Sequence, residues 1–433
     1  HEFTPYWNVN FNRRKMAEGI LFLVLVVMTS CSRGSTIPSK IFDNHEEEDS
    51  LHDDIILSSE QKLMMQERGF YTAAKWPLEN DLVTVPYYFD ATIPSAVKTN
   101  FKKAVDIYAS QSCIRWVEIP KTDPRKKVKV FRGQGCYSYI GVASSGNILS
   151  LGTGCERIST IIHEMGHTMG LFHTQSRPDR DQYVNVWWNN IKPGMEFNFA
   201  KSTGDLYDVP YDYKSMMHYG NKYFSKNGYF TLTTVNPFAL FAIGSRLDNF
   251  RWSDAAFLNR AYTCDKINER KCPGKTCLNG GFVGQDCKCK CPENNKGDRC
   301  ETVAGEFFAD VPKCGGIVTT PREITTFVNG VSVSDNCIFK IVAPKCKLPS
   351  ITFTYVRLYW SDCTKNQLIV ETSSAAFGAT FCKGIDVPMR KAIVADKQQA
   401  AIYYHTSYQG STTYGVKANI TFVANPSCAN PGA

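Results

Sequence analysis

The sequence lacks the features of a membrane-spanning or fibrous protein. Its apolar run Ile20–Met28 covers nine residues, which is too short to cross a bilayer, and no later stretch approaches a spanning length. We therefore predict no transmembrane anchor. With 30 glycines and 20 prolines in 433 residues, a collagen or a proline-rich scaffold is excluded. The hydrophobic fraction of 43% excludes wholesale disorder, and the length allows about two to four domains.

Cysteine, in contrast, is abundant. Seventeen cysteines indicate an oxidising compartment, and the odd number leaves one unpaired. A basic stretch before Met16, the apolar run Ile20–Met28 and a small polar exit are typical of a secretory signal peptide, which we predict over residues 16–33. A buried core helix is the alternative interpretation of the apolar run Ile20–Met28. Cleavage there would remove Cys31 and leave an even number, and we treat residues 1–15 as an upstream, non-native segment.

Charge is divided unevenly along the chain. Residues 1–68 carry 7 Lys and Arg against 11 Asp and Glu, whereas the remainder carries 42 against 30. We predict that the acidic, cysteine-free residues 34–68 form a pro-segment. The basic charges of the remainder are scattered, which is typical of a solvated surface, so we predict no nucleic-acid partner.

The part after the pro-segment mixes helical and strand patterns. A strand is predicted within residues 75–89. Amphipathic spacing predicts helices over residues 96–112, with Ser95 as a possible N-cap, and over residues 158–169. Ser253 begins a third predicted helix.

Two parts of different composition follow. Six cysteines within residues 272–300 are too dense for a packed core, so disulfides must hold this part together. A cysteine-rich zinc knot is the alternative, which secretion disfavours because oxidised thiols cannot bind the metal. From Cys314 onward, short strands broken by turn residues predict a β-sandwich.

One stretch carries catalytic chemistry, reading H-E-x-x-H-x-x-G-x-x-H from His163 to His173. On a helix, His163 and His167 share a face and can bind one ion, while Gly170 can end the helix so that His173 approaches from a third direction. Three imidazoles leave an open position on Zn²⁺, which is typical of a catalytic site. The ion would lower the pKa of its bound water toward ~7, with Glu164 as the general base. A helix that carries three histidines by accident is the alternative interpretation.

The motif, with Ser215-Met216-Met217-His218-Tyr219 downstream, resembles the metzincins. Further similarity to their astacin branch lies in residues 176–181 and 243–246, and in Ser253, Asp254, Tyr262 and Cys264. The resemblance covers most of residues 54–264 and implies a zinc endopeptidase of two lobes with a cleft between them. It implies that Met217 packs beneath the zinc as the Met-turn residue. It also implies that Tyr219 is an extra zinc ligand and a catalytic residue, whose hydroxyl stabilises the oxyanion. For Met217 and Tyr219 taken alone, core packing is the alternative.

Part of the pro-segment, Leu51–Gln61, resembles the aspartate switch of the same family. The resemblance implies that Asp54 is the zinc ligand of the zymogen and binds in place of water. It also implies an activating protease that cleaves before Trp76, at a site such as Arg68. A solvated acid in an acidic leader is the alternative interpretation of Asp54.

Three positions depart from the family pattern. Thr174 follows the third histidine, where astacins usually carry a Glu that anchors the mature N-terminus. By a rough alignment, Val235 stands where a basic residue is common in the S1′ region, and Asp53 replaces the usual glycine before Asp54. The departure at Thr174 bears on N-terminal docking but not on the zinc chemistry, and the departure at Val235 bears on an acidic preference at the first primed site.

The cysteines extend the resemblance beyond the catalytic domain. The family implies two bridges in that domain, Cys113–Cys264 and Cys136–Cys155. Residues 268–301 resemble an EGF-like module, whose usual pairing implies Cys272–Cys287, Cys277–Cys289 and Cys291–Cys300, although six cysteines allow fifteen pairings from sequence alone. Residues 314–423 resemble a CUB domain, which implies Cys314–Cys337 and Cys363–Cys382 and leaves Cys346 and Cys428 to pair with each other.

Two further expectations concern the CUB-like part. Asn419 begins an Asn-Ile-Thr glycosylation acceptor. Calcium is not expected, because Asn366 stands where many CUB domains have an Asp, and residues 357–360 lack the preceding Glu.

The predicted architecture is multidomain. An α+β two-lobed metzincin catalytic domain over residues 69–266 precedes a small disulfide-rich EGF-like module and an all-β CUB-like sandwich. The predicted function is that of a secreted zinc endopeptidase, made as a zymogen with one Zn²⁺, which hydrolyses internal peptide bonds of extracellular or matrix proteins. The domain order and the motif departures resemble nematode members of the family.

Two other classes of function stay open. One is a binding protein whose zinc is purely structural, which Glu164 and Tyr219 disfavour because a structural site needs neither residue. The other is a catalytically silent matrix or adhesion protein that acts only through its EGF and CUB modules.

Overall fold

The structure is a computed structural model that describes residues 54–57, 73–144, 146–305, 307, 314–332, 335–359, 366–373, 378–406 and 412–428. All of them belong to one compact unit, Ser50–Ala433. The upstream segment, the predicted signal peptide, most of the pro-segment and Cys363 lie outside the described residues. Among the helices that are described, none is long and apolar enough to cross a membrane.

A seven-stranded mixed sheet forms the first lobe. Its strands in chain order are β1 (Ile55–Ile56), β2 (Leu78–Glu79), β3 (Leu82–Phe89), β4 (Ile114–Glu118), β5 (Val128–Phe131), β6 (Cys136–Tyr139) and β7 (Asn147–Leu151). The spatial order is β1-β6-β7-β5-β3-β2, and β4 pairs with β3. β1, from the predicted pro-segment, lies parallel to β6, with Ile55 opposite Ser138. This pairing fixes the position of the residue before β1, Asp54.

Two helices pack in the core of this lobe, α1 (Ser95–Gln111) and α2 (Ile158–Thr168). α1 forms because apolar residues recur at helical spacing and all are buried, namely Val97, Phe101, Ala104 and Tyr108. The prediction of Ser95 as its N-cap is wrong: Pro94 has the extended backbone of the cap position, and Ser95 is already helical. The Tyr108 hydroxyl donates to the Ile162 carbonyl (3.0 Å) and so ties α1 to α2.

The second lobe, residues 184–243, contains little regular structure. β8 (Val184–Val186) pairs with β9 (Leu232–Thr234), and short 3₁₀ helices lie before and within the lobe at Thr174–Ser176, Arg180–Gln182, Trp188–Asn190, Glu196–Phe199 and Pro237–Ala239. Its core is a cluster of buried aromatic and aliphatic side chains that includes Phe199, Tyr211, Tyr213, Tyr219 and Leu232. Side-chain packing thus holds together a lobe in which backbone pairing is sparse.

Helices α3 (Trp252–Ala261) and α4 (Cys264–Lys271) complete the first lobe's core. The disulfide Cys113–Cys264 joins the start of α4 to the end of α1, and a second bridge, Cys136–Cys155, links β6 to the segment before α2. The spacing of apolar residues did not predict α4. It crosses the predicted boundary between residues 266 and 268, so the chain enters the next part as a continuous helix.

The cysteine-rich segment, residues 268–301, is built on disulfides and very short strands. Its bridges are Cys272–Cys287, Cys277–Cys289 and Cys291–Cys300. β10 (Phe282–Val283) pairs with β11 (Cys289–Lys290), and β12 (Asn295–Lys296) pairs with β13 (Thr302–Val303). Phe282 is buried in the first lobe's core, and the Trp252 indole of α3 donates to the Lys290 carbonyl (3.0 Å). The segment is therefore packed directly on the first lobe.

The C-terminal sandwich, residues 314–428, contains two main sheets around one core. Its strands are β14 (Cys314–Val318), β15 (Arg322–Thr325), β16 (Phe327–Val328), β17 (Val331–Ser332), β18 (Asp335–Val342), β19 (Lys347–Arg357), β20 (Asn366–Glu371), β21 (Ala379–Phe381), β22 (Ala392–Val394), β23 (Gln399–Thr406) and β24 (Gly415–Ala424). One sheet has the order β14-β18-β23-β20-β21 and the other β15-β24-β19-β22, while β16 pairs with β17 and Gly384–Asp386 is a 3₁₀ helix. The bridges Cys314–Cys337 and Cys346–Cys428 fasten it, and Cys382 is also disulfide-bonded.

Candidate metal centre

Helix α2 brings the first two predicted ligands together. His163 and His167 lie one turn apart on this helix, and both are fully buried. Their Nε2 atoms are 3.1 Å apart. Glu164, the predicted general base, is fully buried next to them on the same helix. The periodicity of one helix therefore brings two imidazole nitrogens together, with a buried glutamate one position along the helix from His163.

The third ligand arrives after a turn at Gly170. α2 ends at Thr168, and Gly170 has φ +90°, a conformation that strains a residue with a side chain. The ring centroid of His173 then lies 4.7 Å from that of His167 and 5.5 Å from that of His163. Gly170 thus has the turn conformation that the motif predicted.

Backbone carbonyls fix the orientation of the two helical imidazoles. His163 Nδ1 lies 2.7 Å from the Met216 carbonyl, and His167 Nδ1 lies 2.7 Å from the Leu171 carbonyl. Because a carbonyl only accepts, each Nδ1 must carry the proton and donate it. Each Nε2 is then left with its lone pair, as a metal ligand requires.

Asp54 supplies a carboxylate at the same place. Its Oδ2 lies 3.0 Å from His163 Nε2, and its Oδ1 lies 2.9 Å from His173 Nε2 and 3.7 Å from His167 Nε2. One donor atom from each of the four residues lies within 4.8 Å of the others. The Asp54 carbonyl accepts from the Ser138 amide (2.9 Å), so the β1–β6 pairing holds this residue in place.

Burial affects the protonation of the histidines and of Asp54 in this centre. Desolvation lowers the pKa of His163 well below its usual value and that of His173 to about 4, which keeps both imidazoles neutral. Burial by itself would raise the pKa of Asp54, but the side chains of His163, His167 and His173 around it hold it well below its usual range. Neutral imidazoles and an ionised carboxylate are the forms that bind a metal cation.

The donor set fits Zn²⁺. Imidazole nitrogen and carboxylate oxygen are common zinc ligands, at bond lengths of about 2.0–2.2 Å in a tetrahedral arrangement. Two ligands of one such ion are then roughly 3.3 Å apart, close to the 3.1 Å between His163 Nε2 and His167 Nε2. Two nitrogen lone pairs facing each other at this distance without a cation between them would repel, so the arrangement is that of a metal site.

The predicted Met-turn lies directly beneath the helix. A Cβ placed on Gly166 would lie 3.0 Å from Met217 Sδ, so α2 and Met217 are in close contact. Tyr219 is buried, and its ring centroid lies 4.3 Å from that of His173. The structure therefore places Tyr219 beside His173 and Met217 against α2, while their roles toward the zinc stay predictions.

Asp254 supports this turn from behind, a role that the sequence analysis did not assign. Its carboxylate accepts from the Ser215 hydroxyl (2.7 Å) and the Met216 amide (3.1 Å), and burial raises its pKa to about 7. The Met216 carbonyl in turn accepts from His163, so Asp254 acts on the centre through a single residue, Met216. Thr174 joins the network by donating to the Ser215 hydroxyl (3.0 Å).

Arg246 is a cation beside the centre whose position the sequence analysis missed. Its Nη2 lies 3.4 Å from His163 Nε2 and 3.8 Å from Asp54 Oδ2, and its side chain is 16% exposed. The position at which a basic residue was expected, Val235, is 51% exposed. The sequence signal for this position is the Ile-Gly-Ser-Arg stretch, which by itself indicates only the family resemblance.

Other predicted positions lie apart from the centre. Asn419 is exposed on β24, paired between Glu323 and Thr352 of the adjacent strands. Asn366, where calcium was not expected, is fully buried in β20. Trp76 is buried, and its indole donates to the Thr168 carbonyl at the end of α2 (3.0 Å).

Comparison with known proteins gives one family for this domain. Residues 71–263 match the family model Astacin, which describes a family of peptidases. Blastula protease 10 of Paracentrotus lividus is 33% identical over 304 residues, which cover 66% of this chain and 49% of that protein. Zinc metalloproteinase nas-31 of Caenorhabditis elegans is 34% identical over 277 residues, covering 60% and 43%. Zinc is thus the metal indicated by the donor set and by these relatives.

One of the similar solved structures is that of high choriolytic enzyme 1, a hatching enzyme zinc-protease from the medaka fish Oryzias latipes. It is 30% identical to this chain and the match covers 44% of this chain and 94% of that one, with a TM-score of 0.41. The chain spans about half the length of the curated relatives it matches, from 43% to 62% in the first three.

Proposed function

Because the chain belongs to the astacin family of peptidases through residues 71–263, we propose that it is a secreted zinc endopeptidase, made as a zymogen. One observation carries the proposal: three imidazole nitrogens and a carboxylate converge on one point, next to the buried Glu164. A metal site of purely structural use has no need of a buried carboxylate beside its ligands.

In the proposed reaction, His163, His167 and His173 hold the ion through Nε2. Bound zinc supplies Lewis-acid chemistry, polarising a peptide carbonyl and lowering the pKa of a water molecule. Glu164 accepts a proton at its carboxylate as the water oxygen bonds to the carbonyl carbon. It then gives this proton to the amine nitrogen as the carbon–nitrogen bond breaks. We assign the Tyr219 hydroxyl to the oxyanion formed between these two events.

The zymogen part of the proposal concerns Asp54. Its carboxylate contacts the Nε2 atoms of His163 and His173 and would occupy a ligand position that the reaction needs. Cleavage between Asp54 and Trp76 by an activating protease would release β1, which only two residue pairs hold to β6. The switch is thus removable because its attachment to the sheet is short.

The other parts of the chain define the setting of the reaction. Seven disulfides join described residues, which supports secretion and extracellular proteins as substrates. The bridges and short strands of the cysteine-rich segment support an EGF-like module, and the two facing sheets of the C-terminal sandwich support a CUB-like one. Asn419 is exposed, which supports its use as a glycosylation site.

A catalytically silent matrix or adhesion protein remains the alternative function. It predicts that the metal and Glu164 are dispensable, and that deleting residues 69–264 leaves binding to matrix unchanged. The burial of Glu164 disfavours it, because a carboxylate kept from water without a use costs folding free energy.

Metal removal tests the proposed function directly. We expect a chelator to reduce casein or gelatin cleavage by the activated protein to below about 1%, and added Zn²⁺ to restore it, because the histidines cannot activate water without the ion. The measurements are the release of soluble peptides and the zinc content per chain. Cleavage that continues unchanged in protein stripped of zinc would refute the proposal.

Arg246 predicts a substrate preference. Because its guanidinium pairs with the Asp54 carboxylate in the zymogen, we expect it to attract an acidic side chain next to the scissile bond after activation. Arg246→Gln should lower kcat/KM for such peptides by about tenfold relative to neutral peptides, the effect of one charge pair a few ångströms apart. The exposed Arg299, in the cysteine-rich segment, gives the control Arg299→Gln. Equal loss on acidic and neutral peptides would contradict the assignment.

A further inference from the structure

The C-terminal sandwich has an apolar outer face. Ile338, Tyr403 and Ile369 lie side by side on β18, β23 and β20, because Tyr403 is opposite both isoleucines. Each is at most 2% exposed. The alternate residues of these strands fill the core between the two sheets, among them Phe339, Leu368, Val370, Ile402 and Tyr404. Strands that are apolar on both faces belong to a sheet that is covered on both sides.

The second lobe covers this outer face. Phe230 and Leu240 form one buried cluster with Ile338, Ile369 and Tyr403, and Phe238 and Phe241 pack against its edge. The ring of Phe241 meets that of Tyr403 edge to face, with centroids 6.2 Å apart. The Tyr403 hydroxyl donates to Glu371 (2.9 Å), which fixes the orientation of its ring. The sandwich is therefore docked on the second lobe by a specific apolar contact.

The docked segment, residues 237–243, also faces the catalytic side. Leu240 and Phe241 point to the sandwich, while Ala239, Ala242 and Ile243 belong to the cluster that contains Tyr219. A single stretch of chain is thus held between the C-terminal sandwich and the packing of the proposed catalytic tyrosine.

Directly after this segment, the backbone at Gly244 packs closely against the backbone of Tyr219 and Gly220. Gly244 has φ +75°, and a Cβ placed on it would lie 2.5 Å from the Cα of Gly220 and 3.4 Å from the carbonyl carbon of Tyr219. Two residues later, Arg246 reaches His163 at 3.4 Å. Any displacement of residues 237–243 must therefore move Tyr219, Arg246 or both, because close-packed interiors transmit strain.

We propose that the C-terminal sandwich positions the Tyr219–Arg246 side of the active site through the segment 237–243. Leu240 and Phe241 on the second lobe, and Ile369 and Tyr403 on the sandwich, act as positioning residues. The inference rests on the proposed endopeptidase function for its kinetic readout, while its structural readout is independent of any activity.

The test weakens the contact from each side in the full chain after activation. Phe241→Ser acts from the second lobe and Ile369→Ser from the sandwich. The matched controls are Phe197→Ser and Ile385→Ser, at apolar residues that are 45% and 88% exposed. We expect both contact variants to lower kcat about tenfold with little change in KM, since small misplacements of catalytic groups are costly. Amides of residues 237–246 should exchange hydrogen faster, at unchanged zinc content.

The outcomes separate the two proposals. If Phe241→Ser speeds exchange at residues 237–246 but leaves kcat at the level of Phe197→Ser, the positioning role is wrong. Unchanged exchange in both contact variants overturns the docking itself. If the wild type shows no zinc-dependent cleavage, the proposed function fails, and faster exchange around Tyr219 in Phe241→Ser still establishes the mechanical link. Because Phe241 lies outside the sandwich, a folding failure of Ile369→Ser leaves the test intact.

Discussion

Glu164→Gln is expected to lower kcat/KM of the activated protein by about 10²–10⁴-fold. Glutamine has nearly the shape of glutamate but cannot accept the proton of the attacking water, so only the acid–base step is removed. The three histidine nitrogens are untouched, and the Nδ1 atoms of His163 and His167 still donate to backbone carbonyls. We therefore expect the variant to keep one zinc per chain and an unchanged midpoint of thermal unfolding.

The control for this variant is Glu269→Gln. Glu269 lies on α4 and forms an exposed ion pair with Lys266, far along the chain from the centre. The variant Glu269→Gln should change kcat/KM by less than about twofold, as substitutions of surface residues usually do. If Glu164→Gln cleaves casein as fast as Glu269→Gln at equal zinc content, Glu164 is not the base and the silent-protein alternative gains support.

Much of the centre was predictable because its chemistry is local in sequence. His163, Glu164 and His167 share one helix, and Gly170 sets the turn that returns His173, so spacing alone specifies their geometry. The family match over residues 71–263 confirms the family that the motif indicated. The disulfide pairs were available only through resemblance, because the number of cysteines permits many pairings.

The rest depends on contacts between distant parts of the chain. Asp254 supports the Met-turn from 38 residues away, and Arg246 reaches His163 across 83 residues. Neither contact leaves a periodic signal in the sequence. Helix α4 was missed because a domain boundary was placed within it. One sequence feature could have predicted the docking of the sandwich. Strands β20 and β23 are apolar at consecutive positions, which indicates that both faces of their sheet are buried.

Asp54 was predicted from a short sequence resemblance, and its contacts with the histidines join distant parts of the chain. In sequence it is one acid among several in an acidic leader, and only its resemblance to a family switch set it apart. In the structure its carboxylate lies 3.0 Å from His163 and 2.9 Å from His173, 109 residues or more along the chain. A parallel strand of two residues, β1, holds it there. The ligand is thus part of the molecule and acts at a high effective concentration, of order millimolar or above.

Asp54→Ala should therefore activate the uncleaved precursor. With the carboxylate gone, the fourth position among the histidines is open to water, and we expect cleavage of a short peptide to rise by about 10²-fold over the uncleaved wild type. Asp53→Ala removes the same charge one residue earlier and is the matched control. The double variant Asp54→Ala with Glu164→Gln should be inactive, which assigns any gain to this centre. Intact precursor is verified by electrophoresis after each assay. If the Asp54→Ala precursor remains as inactive as Asp53→Ala, the contact is structural and inhibition arises elsewhere in the pro-segment.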